Sequence, residues 1–371
     1  MTSKLFTPLS VGQRTLSNRI TVAPMCQYSA VDGSMSDWHL MHLGSLAISG
    51  ASMLVMEATG VVPEGRITPY CPGLWSDANE AAMKRVTDFV RSVSPIVLGV
   101  QLGHAGRKGS SHRPWQGHGP LAEAEGAWLT AAPSSLSLAS GWPAPQEMSL
   151  SDMQALTDAF VRAAKRAARI GLDFVELHST HGYLLSEFLS PLANRRSDRY
   201  GGTLENRMRY PLEVFRAVRA AFPADRFVGA KISGSDFAEG GFTPDDAVAY
   251  AKALKAEGCA YVTVSGGGVV LDAKIPIGPG YQVPFAARVK KEADIVTGAV
   301  GLITEPQQAE AIIGDGQADF ISLARAMLFN PRWPQHAAVA LGAESPYPPQ
   351  YERGSPKLWP PGRRADGDQK R

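Results

Sequence analysis

Three proton-exchanging side chains stand within six residues in His178-Ser-Thr-His181-Gly-Tyr183. They follow a mostly apolar run, Leu172 to Leu177, that reads as a buried strand. At the end of such a strand, polar groups cost free energy unless they meet a partner there. Histidine offers a donor and an acceptor near neutral pH, and tyrosine offers one acidic O–H. Together they suit an oxygen that gains negative charge and a carbon that needs a proton. The plainer alternative is local satisfaction, a histidine capping a turn and a tyrosine covering a core edge. For one isolated residue the plainer account is better; for three in six residues it is not. A zinc site would need a third ligand. Asp173 stands at the start of the strand and Glu176 points along its body, so no metal ligand set is assigned.

The elements that must position this trio come from the hydrophobic pattern. Strands are expected at residues 19–25, 52–58, 95–102, 172–178, 227–232, 260–264, 294–298 and 319–323. Helical patterns alternate with them, at 37–50, 79–92, 149–171, 204–221, 244–257, 284–292 and 305–313. Short apolar strands alternating with amphipathic helices mean parallel βα units, and eight units favour an α/β fold of the (β/α)8 TIM-barrel type. The turn-rich first 18 residues form a short N-terminal cap closing the barrel's bottom. A Gly/Pro/Ser/Trp-rich stretch after the third strand, 104–147, is long enough to be a lid. The expected organisation is one barrel over 1–342 with that insertion, then a C-terminal arm and tail over 343–371.

Barrel active sites sit where the strands end. Met25-Cys26, Ala58, Gln101, His178, Lys231, Ser265, Gly298 and Ala324-Arg325 stand at or just past those ends. Polar groups are expected there and not in the strand bodies. Thr297-Gly-Ala-Val-Gly301 follows the seventh strand, and Leu323-Ala-Arg-Ala326 follows the eighth. Loops in these places often hold phosphate, with glycine admitting backbone N–H groups and arginine adding a fork of donors. No GxGxxG follows a strand, so a Rossmann domain is not encoded.

Composition narrows the class. The chain has 371 residues, 44% hydrophobic and 19% charged, with a formal net charge of +2. That is a globular balance with no basic stripe, so no nucleic-acid partner is expected. No run has the length of a membrane helix or a signal-peptide core. Three scattered cysteines, Cys26, Cys71 and Cys259, form no CxxC. Neither a disulfide framework nor an iron–sulfur site follows, and the expected compartment is cytoplasmic.

With these motifs in order, the sequence resembles the Old Yellow Enzyme family of FMN-dependent ene-reductases. It is most similar to the branch of bacterial NADPH dehydrogenases and xenobiotic reductases that carries an active-site cysteine. The resemblance runs from Leu5-Phe-Thr-Pro to Gln350-Tyr-Glu-Arg-Gly354. It rests on Asn18-Arg-Ile, Ala23-Pro-Met-Cys-Gln-Tyr28, Glu57-Ala58, Gln101-Leu-Gly-His-Ala-Gly-Arg-Lys108 and His178-x-x-His181-Gly-Tyr183. Further motifs are Asn194-Arg-Arg-Ser-Asp-Arg-Tyr-Gly-Gly202, Pro279-Gly-Tyr-Gln-Val283 and Thr297-Gly-Ala-Val-Gly301.

The resemblance implies FMN, with NADPH or NADH as reductant, and activated alkenes such as enones, nitroalkenes or maleimides as substrates. It implies that Ala23, Pro24, Met25, Cys26, Ala58 and Gln101 line the flavin, with Gln101 bonding its pyrimidine edge. Cys26 tunes the flavin's potential, and Gly301, Ala324 and Arg325 hold its phosphate. His178 and His181 bind the substrate oxygen, Tyr183 protonates the α-carbon, and Tyr28 shapes the substrate pocket. It also implies a homodimer or homotetramer in which Arg353 reaches into a neighbouring subunit's site.

Two positions depart from the family pattern. Lys231 stands where arginine is usual, keeping the positive charge but losing the planar fork. The tail after Gly354 matches no motif, and 365–371 has a disorder-like composition. Other readings are a flavin-binding barrel with a different redox substrate, a dienoyl-CoA or amine-oxidising relative, and a barrel that has lost catalysis. The second carries a cysteine-rich segment that this chain lacks, and the intact trio argues against the third.

Overall fold

In the computed structural model, which describes residues 3–117 and 119–359, eight parallel strands close into a barrel. They are β1 (Ile20–Val22), β2 (Met53–Gly60), β3 (Val97–Gly103), β4 (Phe174–Ser179), β5 (Phe227–Ser233), β6 (Val262–Ser265), β7 (Thr297–Ala299) and β8 (Phe320–Leu323). Each pairs with its sequence neighbour, and β8 pairs with β1 to close the ring. The helices are α1 (Asp37–Ala47), α2 (Asp77–Val93), α3 (Leu150–Arg169), α4 (Leu184–Leu189), α5 (Leu204–Ala221), α6 (Pro244–Ala256), α7 (Val283–Ala293), α8 (Pro306–Gly314), α9 (Arg325–Phe329) and α10 (Trp333–Ala340). The expected elements are all present, with ends shifted by a few residues. Several helix starts are fixed by caps: Ser76, Ser149, Thr203 and Thr243 each accept from a backbone N–H in the first turn. None of these helices is long and apolar enough to cross a membrane.

The barrel's interior is layered. Met53, Val55, Phe174, Phe227, Tyr261 and Phe320 fill its lower end. A hairpin of Leu9–Val11 and Arg14–Leu16 closes the floor, sending Val11 and Leu16 into the same cluster. Space for the large rings comes from glycine on the adjoining strand: a Cβ on Gly229 would strike the Tyr261 ring, and one on Gly298 the Phe320 ring. Phe174 stacks on Phe227 with centroids 4.8 Å apart.

Above this floor the interior turns polar inside the strand bodies, contrary to the expectation that only their ends would carry polar groups. Side chains alternate along a strand, so Phe174, Glu176 and His178 share one face of β4. Glu176 is buried and points into the barrel, not along the strand body as expected. Gln101 donates to it at 2.8 Å, Tyr261 at 3.0 Å, and Thr263 lies at 3.5 Å. These bonds satisfy a group that would otherwise be costly to bury.

The stretch after β3 is built of short helical turns at Gly106–Lys108, Pro114–Gln116 and Glu123–Glu125, and a two-residue pairing of Ala131–Ala132 with Gln146–Glu147. Beyond α10 the chain forms an arm with a short helical turn at Pro349–Gly354. It is held by Gln335 donating to the Pro346 carbonyl at 3.1 Å and by Arg332 over the Tyr351 ring. The sequence-predicted tail from 360 onward lies outside the described residues.

Candidate active site

β4 ends in a turn that brings the trio together. The His178 and Tyr183 rings lie 4.8 Å apart, and those of His178 and His181 lie 5.3 Å apart, both nearly perpendicular. His181 has a positive φ of 65°, a conformation uncommon for a residue with a side chain, and Gly182 continues it at 71°. The turn is pinned from two sides. The Lys108 ammonium donates to the carbonyls of His181 at 2.7 Å and Gly268 at 3.0 Å. The Gly268 backbone lies so close to Gly182 that a Cβ there would collide with its carbonyl.

The His181 Nε2 meets the Ser265 hydroxyl at 2.8 Å, from the end of β6. The buried Nδ1 of His178 has no hydrogen-bond partner among the described residues. A buried polar atom without a partner is what a ligand-facing group looks like before its ligand arrives. Burial first, then the charges of Lys231 and Lys108, push both imidazoles well below their ordinary range. They are neutral at physiological pH. Burial pushes the Tyr183 phenol well above its usual value, so it holds its proton.

On one side of the trio lies a cleft of about 290 Å³. Ala23, Pro24, His181, Lys231, Gly301, Ala324 and Arg325 are among the residues lining it. Gly301 has φ 110°, and a Cβ there would come within 3.0 Å of the Gln282 nitrogen. The Gln282 side-chain oxygen, also at the cleft, is buried without a partner among the described residues. Lys231 is buried at β5, in register with His178. Burial lowers its ammonium's pKa, and the nearby Glu176 carboxylate partly restores it.

On the other side, Ala58, Cys71, His178 and Tyr183 share a narrow crevice. Cys26 and Tyr28 are both half-buried. Burial, followed by Cys71 and Glu57, raises the Cys26 thiol well above its usual value. The Cys26 turn is held from β2. Pairing of β2 with β3 shifts register between Met56 and Thr59, and the intervening Glu57 accepts from the Gln27 backbone N–H at 2.8 Å. A bulge of this kind re-aims side chains at a barrel rim.

Most of the sequence-predicted residues therefore border one of two adjoining spaces. Cys26, Tyr28 and Gln101 are not among the residues lining either space, and the Gln101 amide nitrogen is engaged by Glu176. Met25 is half-buried against the main core. Arg353 is exposed on the arm. It is not among the residues lining the cleft or the crevice. Sequence reasoning missed the inward role of Glu176, and also Ser265 as the partner of His181. The period of two along β4 and β6 carries both signals.

The model of the NADH:flavin oxidoreductase / NADH oxidase family matches residues 4–344. The NADPH dehydrogenase of Geobacillus thermodenitrificans (strain NG80-2) is 42% identical over 356 residues, spanning 95% of this chain and 99% of the relative. That of Bacillus subtilis (strain 168) is 39% identical over 356 residues, spanning 95% of this chain and all of the relative. Among solved structures, morphinone reductase in complex with tetrahydroNAD superposes with a TM-score of 0.76 at 27% identity, covering 93% of each chain. The old yellow enzyme homologue from Zymomonas mobilis gives a TM-score of 0.76 at 25% identity, covering 93% of this chain and 94% of that one.

Proposed function

This chain belongs to the NADH:flavin oxidoreductase / NADH oxidase family, and from that premise we propose that it is an ene-reductase acting on activated alkenes. It is an NAD(P)H-dependent oxidoreductase whose cofactor is FMN. The observation that carries the finer reading is the convergence of His178, His181 and Tyr183 beside a cleft lined by Lys231 and Arg325.

The residues present fit FMN. The Gln282 side-chain oxygen, buried without a partner among the described residues, offers a polar atom to a ligand, and Arg325, lining the same cleft, offers donors suited to a phosphate. Ala23, Pro24, Met25, Cys26, Ala58, Gln101 and Lys231 would border the ring system, and Gly301, Ala324 and Arg325 the phosphate. Bound FMN supplies hydride for the β-carbon of the alkene.

The chain's own groups do the rest. The two neutral histidines donate hydrogen bonds to the carbonyl or nitro oxygen of the substrate. They strengthen as negative charge builds there, as an oxyanion hole does. Tyr183, kept protonated by burial, gives its proton to the α-carbon. Lys231, lining the cleft, would set positive charge beside the flavin ring when FMN is bound. Tyr28 and the stretch 104–147 shape and cover the substrate side. For assembly, the reading is a homodimer or homotetramer in which Arg353 serves a neighbouring subunit's site.

The test is spectroscopic. The purified protein is expected to be yellow, to bleach with NADPH without oxygen, and to recover its colour on adding cyclohexenone. Bleaching without recovery would leave an oxidoreductase with another oxidant and end the ene-reductase reading.

A further inference from the structure

Arg113 is a cation without a carboxylate partner among the described residues. Its Nε donates to the Gln116 side chain at 2.9 Å, and its guanidinium lies 3.9 Å from the Tyr70 ring centroid and 5.3 Å from that of Trp115. Its terminal nitrogens make no hydrogen bond among the described residues. Nearby cations are engaged within the fold. Arg66 donates to the carbonyls of Pro63 and Pro69, Arg107 to those of Leu136 and Val269, and Lys108 to those of His181 and Gly268. Glu125, an acid of the same stretch, stands by His112 at 3.3 Å.

The platform is joined to the site. Trp115 meets Tyr28 edge-on at 5.8 Å, and Tyr28 stands two residues after Cys26. Tyr70 precedes Cys71, which lines the crevice shared with His178 and Tyr183. Trp115 is 64% exposed and Tyr70 39%, so both residues reach solvent beside the partly buried Arg113.

A fork of N–H donors with free terminal nitrogens, set beside solvent-exposed aromatic residues, suits a ligand carrying both an anion and a flat ring. The reductant has that chemistry at the end remote from its nicotinamide. The geometry points to Tyr70, Arg113 and Trp115 as the subsite for the adenosine 2′-phosphate end of NADPH, Arg113 taking the phosphate and Trp115 the purine. This rests on the reading of a flavin reduced by NAD(P)H.

Anaerobic stopped-flow reduction of the holoenzyme by NADPH and by NADH, each alone, tests it. Arg113→Gln is expected to raise the half-saturating concentration of NADPH about tenfold more than that of NADH, as loss of a charge-assisted phosphate contact would. Arg113→Lys restores part of the difference, because charge survives and the fork does not. Trp115→Ala raises both values together, because the purine is common to both nucleotides. An Arg113→Gln change that is equal for the two nucleotides, or absent, overturns the assignment. If neither nucleotide reduces the wild-type flavin, the oxidoreductase reading fails and takes this inference with it.

Discussion

The imidazole Nε2 of His181 and the hydroxyl of Ser265 lie 2.8 Å apart, joining the ends of β4 and β6. A serine hydroxyl that donates to Nε2 fixes the tautomer with the proton on Nδ1. The proton would then face a ligand, as does the unpartnered Nδ1 of His178. Phenols should therefore bind, because a phenolate oxygen imitates the developing oxyanion. His178→Ala or His181→Ala is expected to weaken p-hydroxybenzaldehyde binding by about 2–4 kcal/mol each. Ser265→Ala should cost about 1 kcal/mol, the worth of one orienting hydrogen bond. Titration of the long-wavelength charge-transfer band measures all three, and unchanged affinity in both histidine variants would remove them from the oxygen site.

Tyr183→Phe is expected to leave flavin reduction by NADPH near the wild-type rate and to slow reoxidation by cyclohexenone by about 10²–10⁴-fold, the range of a lost general acid. Stopped-flow measurement separates the two half-reactions. Equal slowing of both would mean that the tyrosine serves the architecture and not the proton.

Lys231→Met should lower the flavin midpoint potential, and Lys231→Arg should keep or raise it. The reason is the loss or retention of positive charge near the reduced ring. Glu176→Gln is the complementary change. Removing a buried negative charge close to Lys231 should raise the potential if the carboxylate is ionised. Redox titration decides, and a potential indifferent to Lys231→Met would disconnect this residue from the flavin.

Burial lowers the Lys108 ammonium to about 8, and its Nζ lies 5.1 Å from the centre of the Tyr183 ring. It is charged below that pH and neutral above it. Reoxidation by enone is expected to be level at pH 6–7.5 and to decline above about 8 as the charge is lost. Glu187, pushed up to about 8 by burial, accepts from the Arg107 backbone N–H beside Lys108. Lys108→Met should remove the decline, whereas its persistence there and disappearance in Glu187→Gln would assign it to the carboxyl. The linkage sign for stability is opposite. The folded-state value lies below the unfolded value of about 10.5, so the cost of burying this charge is full below pH 8 and is relieved as pH rises to 10.5.

Truncation before Gln350 is expected to shift the protein toward monomer and raise KM for enones while FMN stays bound. The arm leaves Tyr351, Leu358 and Trp359 half exposed, as interface anchors are before a partner covers them. Sedimentation at micromolar concentration measures the first effect. A full-length monomer would end the assignment of Arg353 to a neighbouring site.

The trio was legible because one turn carries all of it, so spacing in sequence approximates spacing in space. The barrel was legible because eight apolar strands each alternate with a helix. Glu176 was not, because an apolar run hides a single inward carboxylate unless the phase is counted back from His178. Ser265 was visible as a strand end, but its pairing with His181 depends on β4 and β6 facing each other across β5. Glu57 stands in a family motif, yet its grip on the Gln27 backbone depends on a register shift that periodicity does not reveal.

The meeting of Gly182 with Gly268 bears on how this site can change over evolutionary time. Each loop's backbone excludes a side chain at the other's glycine: a Cβ on Gly268 would lie 2.6 Å from the His181 carbonyl, and one on Gly182 would strike the Gly268 carbonyl. Neither loop can lengthen or enlarge here unless the other moves, and Lys108 ties both carbonyls to a third segment. Three stretches of chain are thus bound to drift together or not at all. Variation that alters the range of accepted molecules has its freer ground away from this junction, in parts of the 104–147 stretch exposed to solvent and held by fewer contacts.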